Sequence, residues 1–207
     1  MNKNKRIATL MCLSGLLASG AALAQDTNKG AYVGFSAGQT RVNFDTAPLI
    51  LGGLPVTYDN SSGAWKAFGG YQFNKYFAAE LHYVRFGDYN VFVTTAIGPQ
   101  FTNIQITGWG AALVGTLPLG KDFSLLGRLG ETRVRESRGN CNICQAPVSA
   151  ASDNTWSPTV GIGIKYDFNP NWSARVEAER YTKIGSSSNN TFGASINLYT
   201  AGMAYKF

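Results

Sequence analysis

From Trp156 to Phe168 the chain alternates without a break. Trp156, Pro158, Val160, Ile162, Ile164, Tyr166 and Phe168 share one parity, and Ser157, Thr159, Gly161, Gly163, Lys165 and Asp167 share the other. Period two marks a strand with one apolar and one polar face, because successive side chains point to opposite sides. Thirteen residues is longer than the five or six typical of soluble strands, and long enough for the roughly 9–11 tilted residues that cross a bilayer. Aromatic residues stand at both ends, where the interfaces of a membrane strand lie. After Asn169-Pro-Asn171 the pattern resumes, with Trp172, Ala174, Val176 and Ala178 opposing Ser173, Arg175, Glu177 and Glu179.

Six further segments complete the count. Residues 31–40 send Ala31, Val33, Phe35 and Ala37 to the apolar side and Tyr32, Gly34, Ser36 and Gly38 to the other. Residues 65–73 do so with Trp65, Ala67, Tyr71 and Phe73 against Lys66 and Gln72, and residues 76–86 with Phe77, Ala79, Leu81 and Tyr83 against Glu80 and His82. Residues 104–117 are apolar on both faces, which leaves their phase open. In residues 123–135 the phase is clear at Leu125, Arg128 and Leu129, but Glu131 and Arg133 break the parity; in residues 194–207 Asn197 is out of phase.

Connections alternate in length. Short turns fall at Asn74-Lys75, 119–122 and 169–171, and long loops at 41–62, 87–103, 136–154 and 183–191. Short periplasmic turns with longer external loops are the habit of outer-membrane barrels, and an even strand number returns both ends to one side. The fold expected is all-β: an eight-stranded antiparallel up-and-down transmembrane β-barrel. Lipid offers no hydrogen bonds, so a spanning sheet must close on itself. The composition agrees: aromatics reach 13 % and charged residues only 14 %, against roughly 25 % charged in ordinary soluble domains.

Residues 1–24 read as a cleaved signal peptide, with Lys3, Lys5 and Arg6 before an apolar stretch that ends in Ala22-Leu-Ala24. Cys12 lacks the preceding small residue of a lipidation site and leaves with the signal. The barrel domain is then 25–207, one domain of 183 residues. Fifteen basic against twelve acidic residues leave it a net charge of +3, too little to argue for nucleic acid. After residue 25 no apolar run approaches the eighteen or so residues of a spanning helix.

The segments Gly30-Ala-Tyr-Val-Gly-Phe-Ser-Ala-Gly38, Gly69-Gly-Tyr-Gln-Phe-Asn-Lys-Tyr76, Tyr166-Asp-Phe-Asn-Pro-Asn-Trp172 and Ala204-Tyr-Lys-Phe207 resemble those of the OmpA/OmpX-type small outer-membrane barrels, over essentially the whole mature chain. The resemblance implies that Tyr205 and Phe207 form the terminal aromatic signal read by the barrel-assembly machinery. OmpA itself continues beyond this point into a periplasmic wall-binding domain, which the sequence is not expected to carry, so no tethering to the cell wall is expected. Relatives of this kind serve in adhesion, host interaction, stress resistance or as minor pores.

The inward positions carry the chemistry. Lys66, Arg128, Lys165 and Arg175 face Glu80, His82, Asp167, Glu177 and Glu179 in a lumen that side chains alone can fill. Charges withdrawn from water are costly unless paired, so an ion-pair plug is expected; a narrow conduit opened by rearranging those pairs is the alternative. His82 is the sole histidine and begins His82-Tyr-Val84, which lacks the His-x-Ser arrangement that the resemblance attaches to lipid A deacylases. A lipid A-modifying enzyme stands as a second alternative, with no catalytic residue, cofactor or metal expected. Cys141 and Cys144 lie in the third long loop and are expected to pair as a disulfide in an oxidising compartment. Residues 47–56 make the first long loop unusually apolar, suited to the barrel rim or to a partner patch.

The function expected is non-enzymatic: a monomeric integral outer-membrane protein that stabilises the envelope and presents its loops to an extracellular ligand. Its partners would be outer-membrane lipid and lipopolysaccharide, with the assembly machinery during insertion and no nucleic acid. A soluble lipocalin-type barrel would need an apolar interior, which the inward charges oppose.

Overall fold

A computed structural model of the chain describes residues 29–44, 56–58, 61–95, 98–138, 154–184 and 194–207. They form β1 (Gly30–Phe44), β2 (Val56–Tyr58), β3 (Ser61–Gln72), β4 (Phe77–Thr95), β5 (Gly98–Pro118), β6 (Phe123–Arg138), β7 (Asn154–Asp167), β8 (Trp172–Ile184) and β9 (Ala194–Lys206). The expected signal segment 1–24, Cys141 and Cys144, and most of the apolar stretch 47–56 lie outside the described residues.

Eight strands close a ring. Each pairs antiparallel with its neighbour, β4 meets β5, and β9 returns to β1. The three-residue β2 stands outside the ring, paired to β4 from Val56↔Val93 to Tyr58↔Val91, beyond the end of β3. Following one ladder row around the barrel gives its stagger. Arg41 leads through Asn197, Arg180, Val160, Leu129, Leu113, Ala79 and Tyr71 back to Ala31, ten residues from its start. A closed sheet with this stagger must tilt its strands by about 40°.

The same side-chain chemistry builds two of the short turns. The Asn74 carboxamide oxygen accepts the backbone N–H groups of Tyr76 and Phe77 at 2.8 and 3.0 Å, and that of Asn169 accepts Asn171 and Trp172 at 2.9 and 2.8 Å. Asparagine is a turn residue because its side chain reaches the backbone two or three residues on. The C-terminus is sewn in beside them, Phe207 donating its N–H to the Ala31 carbonyl at 3.0 Å.

The outer wall is apolar, with Leu81, Leu113 and Leu129 about two-thirds exposed. Its two ends carry aromatic belts. The upper comprises Trp65, Tyr83, Trp109, Trp156 and Tyr199, with Trp65–Tyr83 centroids 5.5 Å apart and Trp109–Trp156 6.1 Å. In the lower belt Phe123–Tyr166, Trp172–Tyr205 and Tyr205–Phe207 pack at 4.7, 5.0 and 5.2 Å. Ten residues separate Trp156 from Tyr166; at about 3.3 Å each and about 40° of tilt they cover about 25 Å, the height of an outer-membrane apolar band.

Three expectations need correcting. The loop expected at 87–103 is largely strand, because β4 and β5 stay paired as far as Thr95↔Gly98. The cause of the misreading is a bulge: Arg85 pairs Thr107 and Gly87 pairs Ile106, leaving Phe86 as the extra residue that switches the parity of β4. Glu131, Arg133 and Asn197 do not break the alternation. They keep the outward parity and are polar residues on the outer wall near the upper belt. The interior is not charged throughout either: Val84, Phe86, Tyr89, Ile106, Val134, Tyr181, Ile196 and Leu198 fill the end away from the short turns with an apolar cluster. The open phase of 104–117 resolves with Ile106, Ala112 and Val114 inward and Trp109, Leu113 and Leu117 outward.

Candidate functional site

The alternation of β3, β4, β6 and β8 brings six charges together near the middle of the lumen. Lys66 bonds Glu177 at 3.0 Å and also pairs with Glu179. Arg128 pairs with Glu80 and lies 3.4 Å from Glu179 and 3.7 Å from Glu177. Arg175 reaches Glu80 at 2.7 Å and Glu177 at 3.0 Å. Three cations meet three carboxylates, all at most 5 % exposed, so the cluster is neutral as a whole. That balance is what makes such burial tolerable: each charge is withdrawn from water but meets opposite charge on more than one side.

Neutral side chains complete it. Tyr32 donates to Glu80 at 2.9 Å, and the Tyr181 hydroxyl donates to Glu179. His82 Nε2 stands 2.9 Å from Thr132 Oγ1, which lies 3.0 Å from Thr159 Oγ1, and Arg128 approaches His82 Nδ1 at 3.5 Å. Phe68 lies among the charges, its ring centroid 3.3 Å from the guanidinium carbon of Arg175.

Lys165 and Asp167 stand apart from this cluster. They pair with each other at 3.0 Å at the mouth of the lumen beside the short turns, where both are partly exposed. Below Glu80 and Arg175 the lumen opens into a cavity lined by residues such as Tyr32, Gln72, Lys165, Asp167 and Lys206. Above the charges it is filled by the apolar cluster, where the Thr40 and Tyr89 hydroxyls bond at 2.6 Å. The lumen therefore has an open lower chamber, a charged centre and an apolar cap.

Phe68, Thr132 and Tyr181 join the site although sequence reasoning did not single them out. Tyr181 and Phe68 each lie two residues beyond a charged inward position, Glu179 and Lys66, so parity alone marks them; Thr132 follows Arg128 by four. Tyr205 and Phe207 face outward in the lower belt.

An all-antiparallel closed ring with an apolar outer wall between two aromatic belts describes a membrane barrel, and the sequence matches the family described as outer membrane protein beta-barrel domain over residues 9–207. The chain belongs to this family. It is an outer-membrane protein and sits among the lipids and lipopolysaccharide of that membrane. It is 26 % identical over 207 residues to outer membrane protein A of Yersinia pseudotuberculosis, an alignment covering 99 % of this chain and 56 % of that protein. The chain thus spans about half the length of the curated relatives it matches. Two solved structures share its fold: OprG of Pseudomonas aeruginosa, with a TM-score of 0.52 at 18 % identity over 87 % of this chain and 97 % of that one, and AlkL in lipid bilayers, with 0.56 at 14 % identity over 90 % and 94 %.

Proposed function

We propose that this barrel works as a monomeric, non-catalytic and non-conducting outer-membrane protein that reinforces the envelope and holds a β-ribbon outside the cell for contact with an extracellular ligand. The observation that carries this is the length of β4 and β5. Their ladder passes the upper belt at Tyr83↔Trp109 and continues to Thr95↔Gly98. Twelve residues of β4 beyond Tyr83, at about 3.4 Å each, make an extension of about 40 Å along the strand.

β2 widens the ribbon to three strands, and among the described residues 98–103 pair only with β4. An edge with unpaired N–H and C=O groups is a surface on which another extended chain can add. Beneath it, the apolar cap over the charged centre supports the absence of conduction, since opening the ion pairs alone leaves the cap in place. The full burial of Thr132 beside His82 supports the absence of catalysis, because a substrate has no access to that hydroxyl.

Replacing residues 90–103 by a short turn tests the reading. The shortened protein should keep its heat-modified gel shift, while intact cells bearing it lose adhesion to cultured epithelial cells and immobilised matrix protein. Unchanged adhesion would remove the surface role. Steady current through the unaltered protein in a planar bilayer would favour a pore, and a change in lipid A acylation upon its expression would favour an enzyme.

A further inference from the structure

The outer wall of a membrane barrel should be apolar, yet one ladder row carries Arg41, Asn197 and Arg180 side by side on β1, β9 and β8, all of outward parity. Neighbouring strands lie about 4.8 Å apart, so the two arginine backbones are about 10 Å apart across Asn197. The Arg180 guanidinium turns toward the extracellular end, donating to Ser195 at 3.3 Å. Among the described residues no carboxylate pairs with either arginine.

Just below this row the wall is grooved. Ala178 pairs with Ile162 on one side and Tyr199 on the other, so a methyl group sits between two bulky side chains. The groove runs along Val160, Ile162, Ala178 and Tyr199 and ends at Arg180 and Asn197. It lies at the height of the upper aromatic belt, to which Tyr199 belongs. An arginine at the bilayer interface costs about 0–1 kcal/mol, far less than at the midplane, and keeps its charge for a headgroup.

We propose that this face holds one molecule of lipid A, the phosphorylated and acylated anchor of lipopolysaccharide, with a phosphate between Arg41 and Arg180 and an acyl chain over Ala178. The arrangement joins two features of one ligand: cationic donors with no carboxylate paired to them among the described residues where the headgroups lie, and an apolar channel leading from them into the membrane. Guanidinium groups bind phosphate through paired, charge-assisted hydrogen bonds, and the Asn197 carboxamide adds further donors between them. The outer leaflet supplies the phosphorylated lipid at this height. The site is independent of the ribbon and of whatever it contacts.

Native mass spectrometry of the full chain in phosphatidylcholine nanodiscs, titrated with diphosphoryl lipid A, tests this. One lipid A should be retained, and the joint variant Arg41→Ala, Arg180→Ala should weaken retention about tenfold, the effect of losing a charge-assisted hydrogen bond or more. Ala178→Phe should weaken it by filling the groove. Arg135→Ala, which removes an exposed arginine elsewhere, should leave it unchanged. Equal retention by the double-alanine variant, or equal loss in Arg135→Ala, would overturn the site.

A second measurement covers variants that fold poorly. A photo-crosslinking residue at Tyr199 in living cells should capture lipopolysaccharide, whereas one at Trp109, on the opposite wall at the same height, should capture much less. Equal capture at the two positions would overturn the proposal as well.

Discussion

The guanidinium carbon of Arg175 stands 3.3 Å from the centre of the Phe68 ring, and that ring fills the space a side chain at position 34 would need. Gly34 is the cross-strand partner of Phe68, and a Cβ there would come within 2.1 Å of the ring. Gly34→Val should therefore displace Phe68 and, with it, the cation resting on its face. Overpacking of this kind costs about 1–3 kcal/mol. Urea unfolding of the lipid-embedded barrel, read by the gel shift, should show a lowered midpoint, and Gly34→Val combined with Phe68→Ala should recover part of the loss. A midpoint unchanged by Gly34→Val would mean that Phe68 does not hold this position.

Glu80 takes bonds from Arg128, Arg175 and Tyr32. Glu80→Ala leaves two buried guanidinium groups short of negative charge, which should cost about 3 kcal/mol or more. Yet the apolar cap should still block current, because Phe86 and Tyr181, with ring centroids 4.7 Å apart, remain above the gap. Planar-bilayer recording should show little conductance for Glu80→Ala alone, and current when Phe86→Ala and Tyr181→Ala are added. Steady current from Glu80→Ala by itself would show that the ion pairs are the only barrier.

Much of this was legible from alternation alone. Lys66, Glu80, Arg128, Arg175, Glu177 and Glu179 reach one centre because even spacing within each strand keeps them on one face, and antiparallel pairing returns that face to the lumen at every strand. What alternation cannot give is height along the axis, which depends on the ten-residue stagger, a property of the closed ring. For that reason Lys165 and Asp167 share the inward parity and still end at the mouth beside the short turns. Polarity also stood in for direction where it could not: Glu131, Arg133 and Asn197 looked out of phase because a belt at the bilayer surface admits polar groups on the outer wall. Within the apolar cap the bulge at Phe86 hid Tyr89, which lies inward at an odd number where Glu80, His82, Val84 and Phe86 are even; Val134, Tyr181, Ile196 and Leu198 keep the inward parity of their own strands.

That bulge depends on Gly87, whose φ of +104° is poorly accessible to other residues and whose Cβ would meet Ser62 Oγ at 2.2 Å. It turns Tyr89 inward, where its hydroxyl reaches Thr40. Gly87→Ala should destabilise the barrel by about 1–3 kcal/mol through backbone strain, and Tyr89 should become accessible to chemical nitration while Tyr181 stays protected. Unchanged stability with a protected Tyr89 would show that the bulge tolerates a side chain.

Cys141 and Cys144 belong to the segment of sequence that joins β6 to β7. The expected disulfide closes a loop of a few residues, and the chain entropy removed by such a bond grows only logarithmically with loop length, so its contribution should sit at the low end of the range of about 0–5 kcal/mol. Its effect should be confined to the loop. Replacing both cysteines by serine should leave the heat-modified gel shift and urea midpoint unchanged, while protease added outside intact cells cuts between β6 and β7 faster. Alkylation of the unreduced, purified protein should find both sulfurs blocked. Two free thiols would remove the bond, and failure of the double-serine protein to reach the membrane would show that the pair is needed for assembly rather than serving only to restrain the loop.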